Sequence, residues 1–326
     1  MTRVLVHGHG PELPGLLARL SEQGHAVHVP EAQRTPQLDD LVARGWATYV
    51  PDPDPWSFDA VHRAGGEVAD GAPASREPAE GAPTPGRVLL VGGGPGDPGL
   101  LTTRGLEAVR TADVLVCDRL APLSVLDQAR PDARVVHVGK IPRGESTSQE
   151  AINAVLVEHA LAGRTVVRLK GGDGFLFGRG GEEWLACAAA GVPVEVVPGV
   201  SSALAVPALA DVPVTHRGTS QGVAVVSGHV PPGDPRSQVD WAALATSGLT
   251  LVVLMGLQNL PHIAPALRDA GMPADTPVAM VENGSTPAQR TVRAQLATAA
   301  ERARAEQLHA PVAVVIGPVV DALAVP

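Results

Sequence analysis

Short runs of Val and Leu recur along most of this chain, and most of them are followed by glycine beside a polar or sulfur-containing residue. Residues 88–91 run into Gly92, residues 166–169 run into Lys170, and residues 251–254 run into Met255. Short apolar runs that alternate with amphipathic helical patterns are typical of buried strands in an α/β fold. We therefore predict α/β architecture with largely parallel pairing and with ligands at the carboxyl ends of the strands.

The pattern predicts four segments. Residues 1–65 form a small module, residues 66–86 are a linker rich in Pro, Gly and Ala, and residues 87–205 and 206–326 form two α/β lobes. The predicted strands of the lobes are 88–91, 114–116, 135–138, 166–169, 194–197, 223–227, 250–255, 277–281 and 312–316. The predicted helices are 100–110, 149–162, 260–270 and 296–305, and residues 198–213 are predicted to cross between the lobes.

Composition excludes several classes of function. The net charge of −9 provides no global basic field, so we expect no nucleic acid or membrane partner, and an anionic substrate would need a local cationic cluster. Cys117 and Cys187 have no CxxC spacing, which favours buried reduced thiols over a disulfide or a metal site. The chain has no apolar leader and no run of about 18 apolar residues, so a cytoplasmic protein is expected.

The N-terminal module has the pattern of the opening half of a Rossmann unit. Residues 4–6 and 26–29 are predicted strands, and residues 13–23 are a predicted helix. Gly8 and Gly10 fit the first two places of a dinucleotide fingerprint, Leu13 occupies the third, and Glu31 could supply the acid. Because the module is too short for a complete dehydrogenase domain, we favour a structural or partner-binding appendage over NAD binding.

A second glycine turn, residues 92–98, follows the strand 88–91. It contains Pro95, Asp97 and Pro98, which suit a phosphate poorly because proline offers no backbone N–H and an acid repels an anion. The turn therefore favours a neutral or cationic ligand.

Ten motifs from residue 92 onwards resemble those of uroporphyrinogen-III C-methyltransferases, within the tetrapyrrole methylases. They are GGGPGDPGLLT (92–102), DRL (118–120), VGK (138–140), QEAIN (149–153), VVRLKGGDGFLFGRGGEE (166–183), VPGVSSA (197–203), THR (215–217), SGH (227–229), MGL (255–257) and VENGSTPAQR (281–290). The resemblance begins near Gly86 and covers about three quarters of the chain.

The resemblance implies a two-lobed tetrapyrrole methylase fold, a homodimer, and S-adenosylmethionine bound in the cleft between the lobes. It implies methylation of uroporphyrinogen III at two pyrrole carbons to give precorrin-2, which feeds sirohaem and cobalamin synthesis. The N-terminal module resembles a shortened form of the dehydrogenase domain of sirohaem synthases. Two alternatives remain open: a later precorrin methyltransferase, and a bifunctional methylase with NAD-dependent precorrin-2 dehydrogenase activity.

The resemblance also implies roles for individual residues. Asp118 would accept a proton and Lys140 would donate one. The implied cofactor contacts are Pro95, Gly171, Gly172, Asp173, Leu176, Ser201, Ser202, Met255 and Gly284. The candidate substrate-binding residues, beside Lys140, are Arg119, Arg143, Arg179, His216, Arg217 and Arg290, because eight substrate carboxylates require cations. Most of the other arginines are expected on solvated faces.

Each assignment has a simpler structural interpretation. Leu176 and Met255, taken singly, fit core packing, and Asp118 could instead pair with Arg119 or cap a turn. Three positions depart from the family pattern: Ile141 and Glu145 beside the motif lysine, and Gly174 where a proline is usual. These departures could weaken substrate binding.

Overall fold

The chain divides into two structural units, Met1–Gly81 and Ala82–Pro326. The computed structural model describes residues 3–8, 13–22, 26–30, 36–43, 47–50, 60–64, 85–138 and 148–323. The predicted linker therefore lies outside the described residues, except for Pro85 and Gly86.

The first unit contains one parallel sheet of four strands in the order β3-β2-β1-β4. Its strands are β1 (Arg3–Gly8), β2 (Ala26–Pro30), β3 (Thr48–Val50) and β4 (Ala60–Ala64), and its helices are α1 (Leu13–Glu22) and α2 (Pro36–Ala43). Val6, Val27 and Val29 from the sheet pack with Leu17 and other apolar side chains of the helices. This order is that of the first half of a dinucleotide-binding sheet, so the predicted Rossmann-like start is confirmed. Gly10 and Glu31, which would complete the fingerprint, lie outside the described residues.

The second unit begins with a five-stranded sheet that is parallel throughout, in the order β7-β6-β8-β5-β9. Its strands are β5 (Arg87–Gly92), β6 (Val114–Cys117), β7 (Arg134–His137), β8 (Thr165–Lys170) and β9 (Val194–Val197). Helices α3 (Thr103–Thr111), α4 (Gln149–Leu161) and α5 (Gly180–Ala189) cover it. Leu89 and Val91 pack on the α3 side, whereas Val88 and Leu90 pack on the α4 and α5 side. Both faces are therefore buried at the central strands, which explains why β5 and β6 are continuous apolar runs.

The second sheet of this unit has the order β10-β11-β14-β12-β13. Its strands are β10 (Val223–Ser227), β11 (Thr250–Leu254), β12 (Pro277–Glu282), β13 (Arg290–Gln295) and β14 (Val312–Ile316), and its helices are α6 (Ser202–Ala208), α7 (Trp241–Thr246), α8 (Leu260–Asp269) and α9 (Ala299–Ala305). Only β10 and β11 pair in parallel, and the other neighbours are antiparallel. The expectation of largely parallel pairing is wrong for this sheet, because a direct hairpin joins β12 to β13.

Helix α6 lies in the segment 198–213, which the sequence predicts as the crossing between the lobes. The Ser201 hydroxyl caps it by accepting a hydrogen bond from the Ala203 backbone N–H at 3.2 Å. Ala203 and Val206 pack on the second sheet. The expected lobe boundary at 205–206 therefore falls inside a helix that belongs with the second sheet.

Both cysteines are buried free thiols, and burial raises the pKa of Cys117 to about 12 and that of Cys187 to about 11. Among the helices of the described residues, none combines the length and apolarity needed to cross a membrane.

Candidate active site

A cavity of about 400 Å³ opens between the two sheets of the second unit. Its wall draws on the loops after β5 and β6, on helix α6, on the end of β11, and on the segment that enters β14. The lining residues are Pro95, Arg119, Leu120, Ser202, Val206, His229, Leu254, Met255, Leu257, Gln258, Gly284, Ala310, Pro311, Val312 and Ala313. Four of the predicted cofactor residues meet here, namely Pro95, Ser202, Met255 and Gly284.

The glycine turn after β5 is fixed mainly by backbone contacts. The backbone N–H of Gly93 donates to the Lys170 carbonyl at 2.7 Å, and Gly94 exchanges two hydrogen bonds with Gly172. An ideal Cβ on Gly199 would lie 2.5 Å from the carbonyl oxygens of both Gly92 and Gly172. These glycines therefore allow the carboxyl ends of β5, β8 and β9 to pack backbone against backbone.

Asp97 shapes the same turn and joins the two lobes. Its Oδ1 accepts a hydrogen bond from the Gly99 backbone N–H at 2.7 Å, which caps a short 3₁₀ turn. Its own backbone N–H donates to the Ser285 hydroxyl at 2.8 Å, across the cleft. The acid in the turn therefore has a local structural partner.

Asp173 organises the loop that follows β8. Its Oδ1 accepts hydrogen bonds from the backbone N–H groups of Phe175 and Leu176, both at 2.9 Å, and its Oδ2 accepts one from Gly199 at 3.4 Å. Burial raises the pKa of this carboxyl, but the backbone donors outweigh burial and hold the pKa below its usual value. The other five predicted cofactor residues do not line the cavity, namely Gly171, Gly172, Asp173, Leu176 and Ser201.

Two left-handed segments border the cavity. Met255 has a φ of 56° and is half exposed, and Asn283 and Ser285, with φ of 48° and 69°, flank Gly284. An ideal Cβ on Gly284 would lie 2.4 Å from Val206 Cγ1. Such strained backbone at non-glycine residues is concentrated at ligand sites because the surrounding structure must hold it in place.

Asp118 stands at the end of β6, beside the cavity residue Arg119. Its Oδ1 accepts hydrogen bonds from the backbone N–H groups of Leu120 and Ala121, both at 3.0 Å. Its Oδ2 lies 3.4 Å from an Arg168 Nη atom, so its ion-pair partner is Arg168 and not Arg119. The side chain remains 27% exposed. This carboxylate is therefore held in place and remains open to a substrate.

A buried group of charges lies directly behind Asp118. Arg168 and Lys170 alternate along β8, and both bind the Glu183 carboxylate of α5 at 2.9 Å. Burial and the charge of Arg168 lower the pKa of Lys170, although Glu183 opposes them. This cluster was not predicted from the sequence, and the buried Arg168 is an exception to the expectation that most of the other arginines lie on solvated faces. The signal was two cations, two residues apart, in an otherwise apolar strand.

The predicted substrate cations lie in several places. Arg119 lines the cavity, whereas Arg179 pairs with Glu182 at 2.7 Å and Arg290 pairs with Glu282 at 3.1 Å. His216 and Arg217 lie in an exposed turn closed by hydrogen bonds between His216 and Ser220. Lys140 and Arg143 lie outside the described residues, as do Ile141 and Glu145.

Two polar cavity residues were not predicted, His229 and Gln258. The Asn259 side-chain amide fixes the His229 loop by donating to the carbonyls of Gly228 and His229 at 2.8 and 2.9 Å. His229 is the last residue of the matched motif SGH, and Gln258 directly follows the motif MGL, so these motifs were the available signal.

The fold and the cavity define a two-lobed α/β protein that takes a small ligand between its sheets at glycine-rich strand ends. Residues 87–300 match the model of the Tetrapyrrole (Corrin/Porphyrin) Methylases, and the chain belongs to this family.

Individual relatives agree with this membership. The chain is 44% identical over 239 residues to a uroporphyrinogen-III C-methyltransferase of Methanocaldococcus jannaschii, covering 73% of this chain and 98% of that protein. It is 46% identical over 236 residues to a siroheme synthase of Acinetobacter baylyi, covering 72% of this chain and 51% of that protein, so it spans about half the length of that relative. A crystal structure of the Thermus thermophilus uroporphyrin-III C-methyl transferase complexed with S-adenyl homocysteine aligns with a TM-score of 0.63 and 42% identity, covering 74% of this chain and 96% of that one.

Proposed function

We propose that this protein catalyses S-adenosylmethionine-dependent C-methylation of uroporphyrinogen III at two pyrrole carbons, giving precorrin-2. The observation that carries the proposal is the cavity, where predicted cofactor residues from both lobes meet close to a fixed, accessible carboxylate. The match to relatives of that activity along nearly their whole length supports it. The product would feed sirohaem or cobalamin synthesis.

The cavity fits the proposed cofactor in size and chemistry. Its volume of about 400 Å³ lies in the range of small-molecule sites, and its walls are mainly aliphatic with a few polar groups. The adjoining turn carries prolines in place of phosphate-binding N–H groups, which suits a sulfonium and an adenosine better than a dinucleotide. When bound, S-adenosylmethionine supplies the methyl group. Pro95, Ser202, Met255 and Gly284 would contact it, and the residues around Asp173 would hold that wall in position.

Asp118 would stabilise the tetrapyrrole during methyl transfer and accept a proton from it. Addition of a methyl group to a pyrrole carbon leaves positive charge on the tetrapyrrole, and a proton must then be lost. A fixed carboxylate can stabilise the charge and accept the proton. The hydrogen bonds from Leu120, Ala121 and Arg168 hold Asp118 for this task. Lys140 remains our candidate proton donor.

We also propose that the protein is a cytoplasmic homodimer. Support for the dimer comes from a group of exposed apolar side chains on the loop after β8 and on α5, where Phe175 is 50% and Leu185 is 60% exposed. Exposed apolar residues in a contiguous stretch are typical of a subunit interface.

We propose that a set of cationic side chains binds the substrate carboxylates. These are Arg119, Arg143, Arg179, His216, Arg217 and Arg290.

The proposal is tested by incubating the purified full chain with S-adenosylmethionine and uroporphyrinogen III under anaerobic conditions and measuring the product mass. A gain of two methyl groups is expected. No gain with this substrate, combined with methylation of a later precorrin, would replace the proposal by the later-methylase alternative.

The first unit calls for a separate measurement. Its sheet order and the siroheme synthase relative favour testing for a dehydrogenase activity. We propose that the unit is a non-catalytic appendage, so NAD⁺ should neither raise the melting temperature nor support oxidation of precorrin-2. Nucleotide-dependent oxidation would establish the bifunctional alternative.

A further inference from the structure

Three buried charged side chains adjoin Asp118. Together with Asp118 they form an ionic cluster, which we define as Asp118, Arg168, Lys170 and Glu183. The side chains of Arg168 and Lys170 are each 4% exposed, and that of Glu183 is fully buried. Charges that are removed from water in this way persist only when partners satisfy them. Glu183 meets this need for both cations at once, because its two oxygens bind different partners.

The charge balance of the cluster depends on Asp118. Arg168 and Lys170 contribute two positive charges, and Glu183 contributes one negative charge. The Asp118 carboxylate supplies the fourth charge and makes the cluster neutral. Removal of either carboxylate would therefore leave an uncompensated positive charge beside the other.

Glu183 also sets the direction of the Arg168 side chain. Arg168 Nε binds Glu183 Oε1 at 2.9 Å, and the Nη1 atom donates to the carbonyls of Val116 and Leu169 at 3.3 and 3.1 Å. The remaining nitrogen, Nη2, then faces Asp118 Oδ2 at 3.4 Å. With Nε and Nη1 held in this way, the guanidinium plane cannot rotate freely, so the contact to Asp118 follows from the contact to Glu183.

Glu183 reaches a third element as well. Gln149, the first residue of α4, donates from its side-chain amide to Glu183 Oε1 at 3.4 Å and to Asn153 Oδ1 at 3.0 Å. In the sequence, α4 follows the segment that carries the candidate proton donor Lys140. The buried Glu183 carboxylate of α5 therefore contacts side chains of both β8 and α4.

We propose that Glu183 is a positioning residue for methyl transfer: it holds Arg168 and Lys170 so that Arg168 fixes the Asp118 carboxylate beside the cavity. This inference rests on the proposed function, in which Asp118 stabilises positive charge on the tetrapyrrole and accepts its proton. Glu183 itself is fully buried and does not line the cavity.

The other titratable groups near Asp118 are few in the described part of the chain. Arg119 and the Cys117 thiol are its neighbours in sequence, and His137 pairs with Cys117 in the adjacent strand. Burial keeps the Cys117 thiol neutral by raising its pKa to about 12. The charge balance next to Asp118 is therefore set chiefly by β8 and α5.

The test compares kcat as a function of pH for the full chain and three variants, with both substrates saturating. Glu183→Gln leaves one extra positive charge, which favours ionised Asp118, so the acid limb should move to lower pH. Lys170→Met removes one positive charge, so the limb should move to higher pH. Each shift should be at least about 0.5 pH unit, because Glu183 and Lys170 are buried and solvent screens buried charges only weakly.

Glu182→Gln is the matched control. It removes one negative charge from the preceding position of the same helix. Glu182, however, is half exposed and pairs with Arg179 on the surface. Its acid limb should therefore stay in place, because solvent screens exposed charges. Glu183→Gln should also lower kcat by on the order of 10²-fold through misplacement of Asp118, with little change in S-adenosylmethionine affinity.

The double variant Glu183→Gln/Lys170→Met separates positioning from folding. Its cluster is again neutral, so its acid limb should match the wild type while its kcat remains at least about tenfold lower. If Glu183→Gln alone does not fold, the proposal is tested with the double variant. A double variant with the kcat of the wild type would overturn the proposal. Unshifted limbs, or limbs shifted in the same direction in the two single variants, would also overturn it. A wild-type protein that methylates no tetrapyrrole would instead refute the proposed function.

Discussion

At the scale of single residues, Asp118 shows how a sequence position gains its chemical setting. The DRL motif places an acid at a strand end, but an acid there could equally cap a turn or pair with Arg119. In the structure one oxygen does cap the turn at 118–121, and the other faces Arg168, fifty residues later in the chain. The two contacts coexist because a carboxylate has two oxygens, and the side chain as a whole remains 27% exposed.

We expect Asp118→Asn to lower kcat by about 10²–10⁴-fold, because an amide cannot accept the proton. Its affinity for S-adenosylmethionine should be nearly unchanged, since Asp118 does not line the cavity. Turnover by product mass and cofactor affinity by calorimetry measure the two effects. Asp132→Asn is the control, because Asp132 is an exposed partner of Arg130 and neither residue is among the candidate site residues. Unchanged kcat in Asp118→Asn would remove Asp118 from the mechanism.

At the scale of secondary-structure elements, the carboxyl ends of β5, β8 and β9 meet through close backbone contacts between their glycines. The sequence predicted all three strands, because each is a short aliphatic run, and it marked their ends by glycine. Among the helices of the second unit, it missed α5, α6 and α7. Helix α5 begins with two glycines after a left-handed Arg179, without a capping side chain, and α6 is built from Ser, Ala and Pro, which are also typical of loops.

We expect Gly199→Ala to destabilise the fold by about 1–3 kcal/mol, because a methyl group there overlaps the backbone of Gly92 and Gly172. The same change should weaken cofactor binding, since it separates the strand ends beside the cavity. The melting temperature and the cofactor affinity measure these effects.

Gly181→Ala is the control for this substitution. Gly181 lies in the first turn of α5, and an added Cβ meets nothing within 4 Å. It should stabilise the protein by about 0.4–1 kcal/mol by restricting the unfolded chain. Equal melting temperatures for the two variants would contradict the close packing of the strand ends.

At the scale of the whole molecule, the two units have separate hydrophobic cores. The family match at residues 87–300 lies in the second unit, and the M. jannaschii relative is covered almost completely by an alignment of 239 residues. The second unit therefore contains the described cavity and all predicted site residues.

We expect a variant that lacks residues 1–81 to keep kcat and both KM values within about twofold of the full chain, because compact units with their own cores fold independently. Steady-state kinetics with uroporphyrinogen III measures this, and circular dichroism verifies the fold. A folded variant with lost activity would show that the first unit contributes to catalysis.

The sequence by itself determined the α/β class, nine of the ten strands in the second unit, the family, and the acid at the end of β6. It could do so because short aliphatic runs, glycine turns and motif spacing are local properties of the chain. The tertiary structure decided the antiparallel pairing of the second sheet, the helical state of residues 202–208, and which cations reach the cavity. It also decided that Arg168, Lys170 and Glu183 form one buried cluster behind Asp118. The physical reason is that the energy of a buried charge depends on partners brought together by folding, and no local pattern specifies them.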